Sequence, residues 1–200
     1  FAVTWDSMAS GPSASYSGID NSVSGIGGRV FSPDGQAVGS EFVVNSYTQD
    51  DQEHPSIASL EDGGFVVVWE SGSQGNMVSA NPQDGSYTGI YGQVFDASGA
   101  KVGAEFQVNT YTDSWQLNPS ITGLEGGGFV TVWQSLEGDG YVGKGQRYDA
   151  DGTAVGSEIL LSSIPTSVSP LSDGGFMITS TQDPSSDGIT VTRYPADYDF

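Results

Sequence analysis

One phrase, written four times, constrains this chain more than any other feature. Residues 61–69 read EDGGFVVVW, residues 125–133 EGGGFVTVW and residues 172–180 SDGGFMITS, while the opening residues 1–5, FAVTW, are the tail end of the same phrase. A phrase that recurs this way makes the repeat itself the architecture. An acidic or polar residue followed by glycines signals a tight turn, because glycine adopts positive φ without steric cost. The β-branched and aromatic run behind it has the composition of a strand buried on both faces.

A second apolar run precedes three of the phrases: PSIASL at 55–60, PSITGL at 119–124 and TSVSPL at 166–171. Two such runs around a glycine turn make a hairpin, strand A followed by strand B. Strand C then reads GIGGRVF at 25–31, GIYGQVF at 89–95, GKGQRY at 143–148 and ITVTRY at 189–194. After the turns SPDG, DASG and DADG, strand D reads AVGSEFVVN at 37–45, KVGAEFQVN at 101–109 and AVGSEILL at 154–161. Phe1, Phe65 and Phe129 lie 64 residues apart, and Phe176 follows after 47. The difference falls mainly between B and C, where loops tolerate insertion.

The chain therefore runs BCD, ABCD, ABCD, ABC, with repeats at about 1–54, 55–118, 119–165 and 166–200 in one repeat domain. Four-strand meanders at this period predict an all-β fold, a β-propeller-like array of four-stranded antiparallel blades. A β-sandwich or stacked β-roll uses the same hairpins without ring closure. The chain begins inside a strand B and stops after a strand C, so Phe1 is expected to be a processed end or the edge of a fragment, and the missing strands invite a partner.

Twenty-nine glycines and 11% aromatics support the all-β reading, and no window shows helical periodicity. Twenty-five acidic residues against 5 basic ones give a formal charge of −20. Such a surface repels nucleic acid and anionic membrane and attracts cations. Cysteine is absent, which constrains the compartment only weakly. No stretch approaches the ~20 apolar residues of a membrane span.

The middle copy, residues 55–109 with the flanking VNTYT at 108–112, resembles a repeat of large bacterial exoproteins: the RTX-type, hemolysin-related calcium-binding proteins and adhesins sent out by type I secretion. The resemblance covers essentially the whole chain. It implies a secreted or cell-surface, non-catalytic structural, assembly or adhesion module, often propeller-like and calcium-associated. The RTX nonapeptide GGxGxDxUx does not occur in this sequence, so no calcium ligand is carried over by the resemblance.

Calcium must then be argued locally. Asp149 and Asp151, two apart and before a glycine, resemble the opening of an oxygen-rich calcium loop. A DxDG between strands also serves a turn with a bulge. The other acidic loops, at 50–53, 137–139 and 197–199, are solvated loops first. Trp5, Trp69 and Trp133 end strand B at equivalent places and are expected to pack between blades rather than stack on sugars. Asn45 and Asn109 open equivalent links between D and the next A, where their side chains are expected to satisfy blade-to-blade backbone groups.

The long B–C loops at 6–24 and 70–88 carry Tyr16 and Tyr87 among Ser, Gly, Asn and Asp. Both should emerge on one side, a surface suited to glycans or another ligand; covering strand edges is the alternative. Catalysis has little support, since His54 is the single histidine and stands without a nucleophile–base constellation. The expectation is a non-enzyme outside the cell or on its surface, with no organic cofactor. Its partners would be other protein subunits, copies of itself, or, in a lectin-like alternative, surface glycans.

Overall fold

The structure is a computed structural model, and it describes residues 1–8, 24–72, 82–181, 188–196 and 198. Among these, every regular element is a strand. The first sheet holds β1 (Ala2–Met8), β2 (Ser24–Phe31) and β3 (Ala37–Val43). The second holds β4 (Gln52–Ser59), β5 (Phe65–Gly72), β6 (Thr88–Phe95) and β7 (Lys101–Gln107). The third holds β8 (Gln116–Gly123), β9 (Phe129–Glu137), β10 (Gly140–Tyr148) and β11 (Ala154–Leu161). The fourth holds β12 (Ile164–Pro170), β13 (Phe176–Thr181) and β14 (Ile189–Tyr194). Each is an antiparallel meander in chain order, so the strand inventory BCD, ABCD, ABCD, ABC is realised.

The repeated phrase works as its glycines require. In the A–B turn of the second sheet, Leu60 N–H donates to Gly64 O at 2.9 Å and Gly63 N–H to Leu60 O at 3.1 Å. The same pair of bonds joins Leu124 with Gly127–Gly128 and Leu171 with Gly174–Gly175. The last glycine of each turn lies against strand C: a Cβ on Gly64, Gly128 or Gly175 would fall 2.5, 2.3 or 2.5 Å from the carbonyl oxygen of Phe95, Tyr148 or Tyr194. Only glycine fits there.

Two boundaries differ from the sequence reading. Strand A starts three residues earlier, at Gln52 and Gln116, because the chain pairs on both sides of a bulge at Glu53/Ser56 and Leu117/Ser120. His54 and Asn118 sit inside these bulges at φ 52° and 54°, where the proline that follows gives the ladder no N–H. In the third sheet the long B–C loop shrinks to Gly138–Asp139, with Glu137 directly opposite Gly140. That accounts for most of the shorter repeat.

The sheets stack face to face in succession. In β5, Phe65, Val67 and Trp69 join a core shared with Ile26, Val30 and Val44 of the first sheet, while Val66 and Val68 join one shared with Phe129, Trp133 and Tyr148 of the third. A third core unites Val130, Val132 and Leu161 with Phe176, Ile178 and Tyr194 of the fourth sheet. Strand B is apolar on both sides because both sides face another sheet. Each sheet thus has a rear face toward its predecessor and a front face toward its successor.

One contact carries this stacking. The first aromatic of strand B stacks on the last aromatic of strand C: Phe1 on Phe31, Phe65 on Phe95, Phe129 on Tyr148 and Phe176 on Tyr194, with centroids 4.9–5.3 Å apart. The strand-D aromatic of the preceding sheet lies against the stacked pair. Phe42 meets Phe95 at 5.3 Å, Phe106 meets Tyr148 at 5.4 Å, and Ile159 takes the same place beside Phe176 and Tyr194. Gly28 and Gly92 in strand C leave room for those rings, which lie 2.6 and 2.7 Å from where a Cβ would stand.

Candidate interaction surfaces

The polar residues that recur with the repeat spend their hydrogen bonds on the scaffold. Asn45 Oδ1 accepts from Ile26 N–H at 2.8 Å and its Nδ2 donates to Tyr47 O; Asn109 repeats this with Ile90 and Tyr111. These bonds lie within one repeat, but Asn109 Nδ2 also donates to Gln116 Oε1 of the third sheet at 3.2 Å, a bridge to a side chain, while backbone groups across the junction are met by glutamates. Glu105 Oε2 accepts from Ser46 N–H, and Glu158 Oε2 accepts from Thr110 N–H and Oγ1–H. Trp69 and Trp133 pack between sheets and are fully buried, with Trp69 Nε1–H donating to Gln52 Oε1 at 2.8 Å. Trp5, on the face of Phe1 and Val3, is only part-buried and has no sheet against it among the described residues.

Strand B also reaches forward. The Glu70 carboxylate is 1% exposed, accepts Asn118 N–H of the third sheet at 2.6 Å, and lies 3.3 Å from His54 Nδ1. Its counterpart in the third sheet, Gln134, donates to Pro165 O of the fourth at 3.3 Å. Both side chains bond the backbone of the next strand A. His54 thus belongs to this junction between sheets.

Asp149 and Asp151 lie in the C–D turn of the third sheet; Asp149, with Gly126–Gly128, Arg147 and Val155, lines a small open pocket of about 260 Å³. Asp149 Oδ1 accepts Thr153 N–H at 2.8 Å, and Asp151 Oδ1 accepts Thr153 N–H and Oγ1–H. Those bonds to Thr153, and then the one shared with Asp149, hold the Asp151 carboxyl below the usual range. The sister turn does the same with one acid: Asp96 Oδ1 accepts from Ser98 and Ala100. Each carboxylate gives its Oδ1 to the turn, and two carboxylates alone supply fewer oxygens than the six to eight that calcium takes. Among the described residues no group of three or more His, Cys, Asp or Glu is placed to hold a metal. Glu137, from another acidic loop, pairs instead with Lys144 at 2.9 Å, and Glu158 holds the same ammonium at 3.2 Å.

Tyr16 lies outside the described residues, so its meeting with Tyr87 on one surface rests on the sequence alone. Tyr87 is 36% exposed and meets Trp115 edge-to-face at 5.5 Å. Asp84 stands in the same loop, its carboxyl held above the usual range chiefly by burial.

The surfaces that sequence reading missed are the two outer faces of the stack. On the rear of the first sheet, Phe1 is 65% exposed and Val3 43%. On the front of the fourth, Ile189 is 73% exposed and Val191 57%. The alternation of strands B and C in the first and last repeats carried the signal, since the apolar residues continue on both sides where the described residues place no neighbouring sheet. Among the described residues, no substantial contact joins the fourth sheet to the first. Neither a family model, nor a curated protein, nor a solved structure matches this chain.

Proposed function

We propose that the chain is a non-catalytic structural module of a secreted or cell-surface bacterial protein, acting in assembly or adhesion through a propeller-like succession of sheets. One observation carries this reading: the same sheet-to-sheet contact is built three times, and the outermost faces remain apolar and exposed. Recurrent polar groups are committed to the scaffold, as expected of a repeat whose work is to present surface. The resemblance to exoprotein repeats and the formal charge of −20 agree with an extracellular setting.

The test is molar mass in solution by light scattering across a concentration series, with calcium and then with a chelator. Association that grows with concentration supports an assembly module, and its loss on chelation makes calcium part of the contact. A compact 20.8 kDa monomer throughout overturns the assembly reading. The Tyr87–Trp115 pair, with Tyr87 part-exposed, favours a second reading, a glycan-binding face in which aromatic surface stacks on a sugar. Monomeric protein that binds a glycan array, and loses this with Tyr87→Ala, selects that reading.

A further inference from the structure

Resting on the assembly reading, we infer that the occupant of each outer face is a second copy of this chain, added head to tail: the front of the fourth sheet of one copy seats on the rear of the first sheet of the next. The chain itself supplies the template. At all three internal junctions a front face meets a rear face, and each rear face presents the stacked pair of a strand-B and a strand-C aromatic. Phe1 stacked on Phe31 at 5.3 Å is the fourth such pair, and no preceding sheet covers it in this structure.

The opposite face has the matching composition. In β13 and β14, Met177 stands opposite Arg193, Thr179 opposite Val191 and Thr181 opposite Ile189. Phe176, Ile178 and Tyr194 belong to the core behind. Alternation therefore puts Met177, Val191 and Ile189 on the front. Arg193, whose guanidinium pairs with Asp173 of its own sheet, adds a polar match. It occupies the register place of Arg147, since Arg147 pairs with the residue after Phe129 and Arg193 with the residue after Phe176. Arg147 reaches across its junction to the C–D turn of the next sheet and donates to Ala196 O at 3.2 Å. In the head-to-tail contact Arg193 faces the equivalent turn of the first sheet, residues 32–35, which carries the exposed carboxylate of Asp34. One of only 5 basic side chains on a strongly acidic chain thus stands where an acidic turn arrives.

Edge-to-edge growth is disfavoured at the strand-D edges. Strands β3, β7 and β11 each pair with strand C across a bulge, and Gly39, Gly103 and Gly156 carry φ 71°, 67° and 73° there. Gln93 and Gln146 side chains donate into the bulge carbonyls of Val102 and Val155. A kinked, charged edge is a poor template for another strand. Front-to-rear contact is heterologous, so copies add in succession or close into a ring.

The experiment uses Val3→Lys, Ile189→Lys and, outside the contact, Val155→Lys as control. Each position is already exposed, and far-UV circular dichroism with a thermal melt checks that folding is unchanged; Val191→Lys replaces Ile189→Lys if that variant melts early. Lysine is chosen because it lowers the negative charge. General repulsion between copies would fall and association strengthen, unless the lysine is buried in the contact. The expected result, by light scattering and sedimentation, is that Val3→Lys and Ile189→Lys each weaken association at least about tenfold while Val155→Lys does not. Mixing the two impaired variants restores a heterodimer, because each keeps the face that the other lacks. Association of the parent chain that both variants leave intact, or no rescue on mixing, overturns the head-to-tail contact while leaving assembly standing. A parent chain monomeric at every concentration overturns both.

Discussion

Glu70 shows how one side chain fixes the relation of two sheets. Its carboxylate is buried in the second sheet yet accepts a backbone N–H of Asn118, held at φ 54° in the bulge of the third. An N–H at such a bulge has no ladder partner, and leaving it unpaired away from water costs about 1–3 kcal/mol. Glu70→Ala should therefore lower unfolding free energy by about 1–3 kcal/mol in urea melts. Glu70→Gln keeps an acceptor oxygen for the Asn118 N–H, so that variant should lose less. Equal losses for both would mean that the charge, and its contact with His54, matters more than the acceptor. Phe129 makes a complementary case: it is fully buried, stacked on Tyr148 and covered by Phe106. Phe129→Ala should cost about 3–5 kcal/mol.

At the scale of the element, the A–B turn separates two demands that glycine meets. Gly126 and Gly128 both have positive φ, 91° and 81°. A Cβ on Gly126 meets nothing within 4 Å, whereas on Gly128 it would stand 2.3 Å from Tyr148 O. Gly126→Ala should cost about 1–2 kcal/mol, the conformational term alone. Gly128→Ala must also push strand β10 away and should cost distinctly more, with equal losses counting against the close approach. This element was legible in the sequence because the glycines and the apolar run stand together in the chain, as they do in strands C and D. The start of strand A was not. Gln52 and Glu53 pair across a bulge, and Pro55 reads locally as a beginning when it is the middle. The outer faces escaped for another reason: Val3, Val191 and Ile189 look like their buried counterparts, and only the position of the neighbouring sheets distinguishes them.

For the whole molecule, electrostatics sets a pH dependence whose sign follows from two groups of acids. Glu53 and Asp84 have carboxyls raised above their ordinary range, both chiefly by burial, and Glu53 further by Asp51. A raised acid binds its proton more tightly folded than unfolded, so acidification through its folded pKa adds stability. Asp34, Asp96, Asp151 and Asp173 are lowered, the first three chiefly by side-chain hydrogen bonds and Asp173 by the Gly175 N–H. Their contribution is present above the unfolded carboxylate pKa of about 4 and fades below it. A formal charge of −20 acts with the first group, since every proton bound between pH 7 and 5 reduces self-repulsion. Thermal stability should therefore rise from pH 7 to about pH 5 and fall below about pH 4. Added salt should raise the melting temperature at pH 7 more than at pH 5, because it screens the repulsion that protons otherwise remove. Asp84→Asn identifies the buried contribution: it should raise the melting temperature at pH 7, and by less as the pH falls through the raised carboxyl. A melting temperature that falls steadily from pH 7 to pH 5 in dilute buffer would mean that neither the buried carboxyls nor the net charge governs the fold.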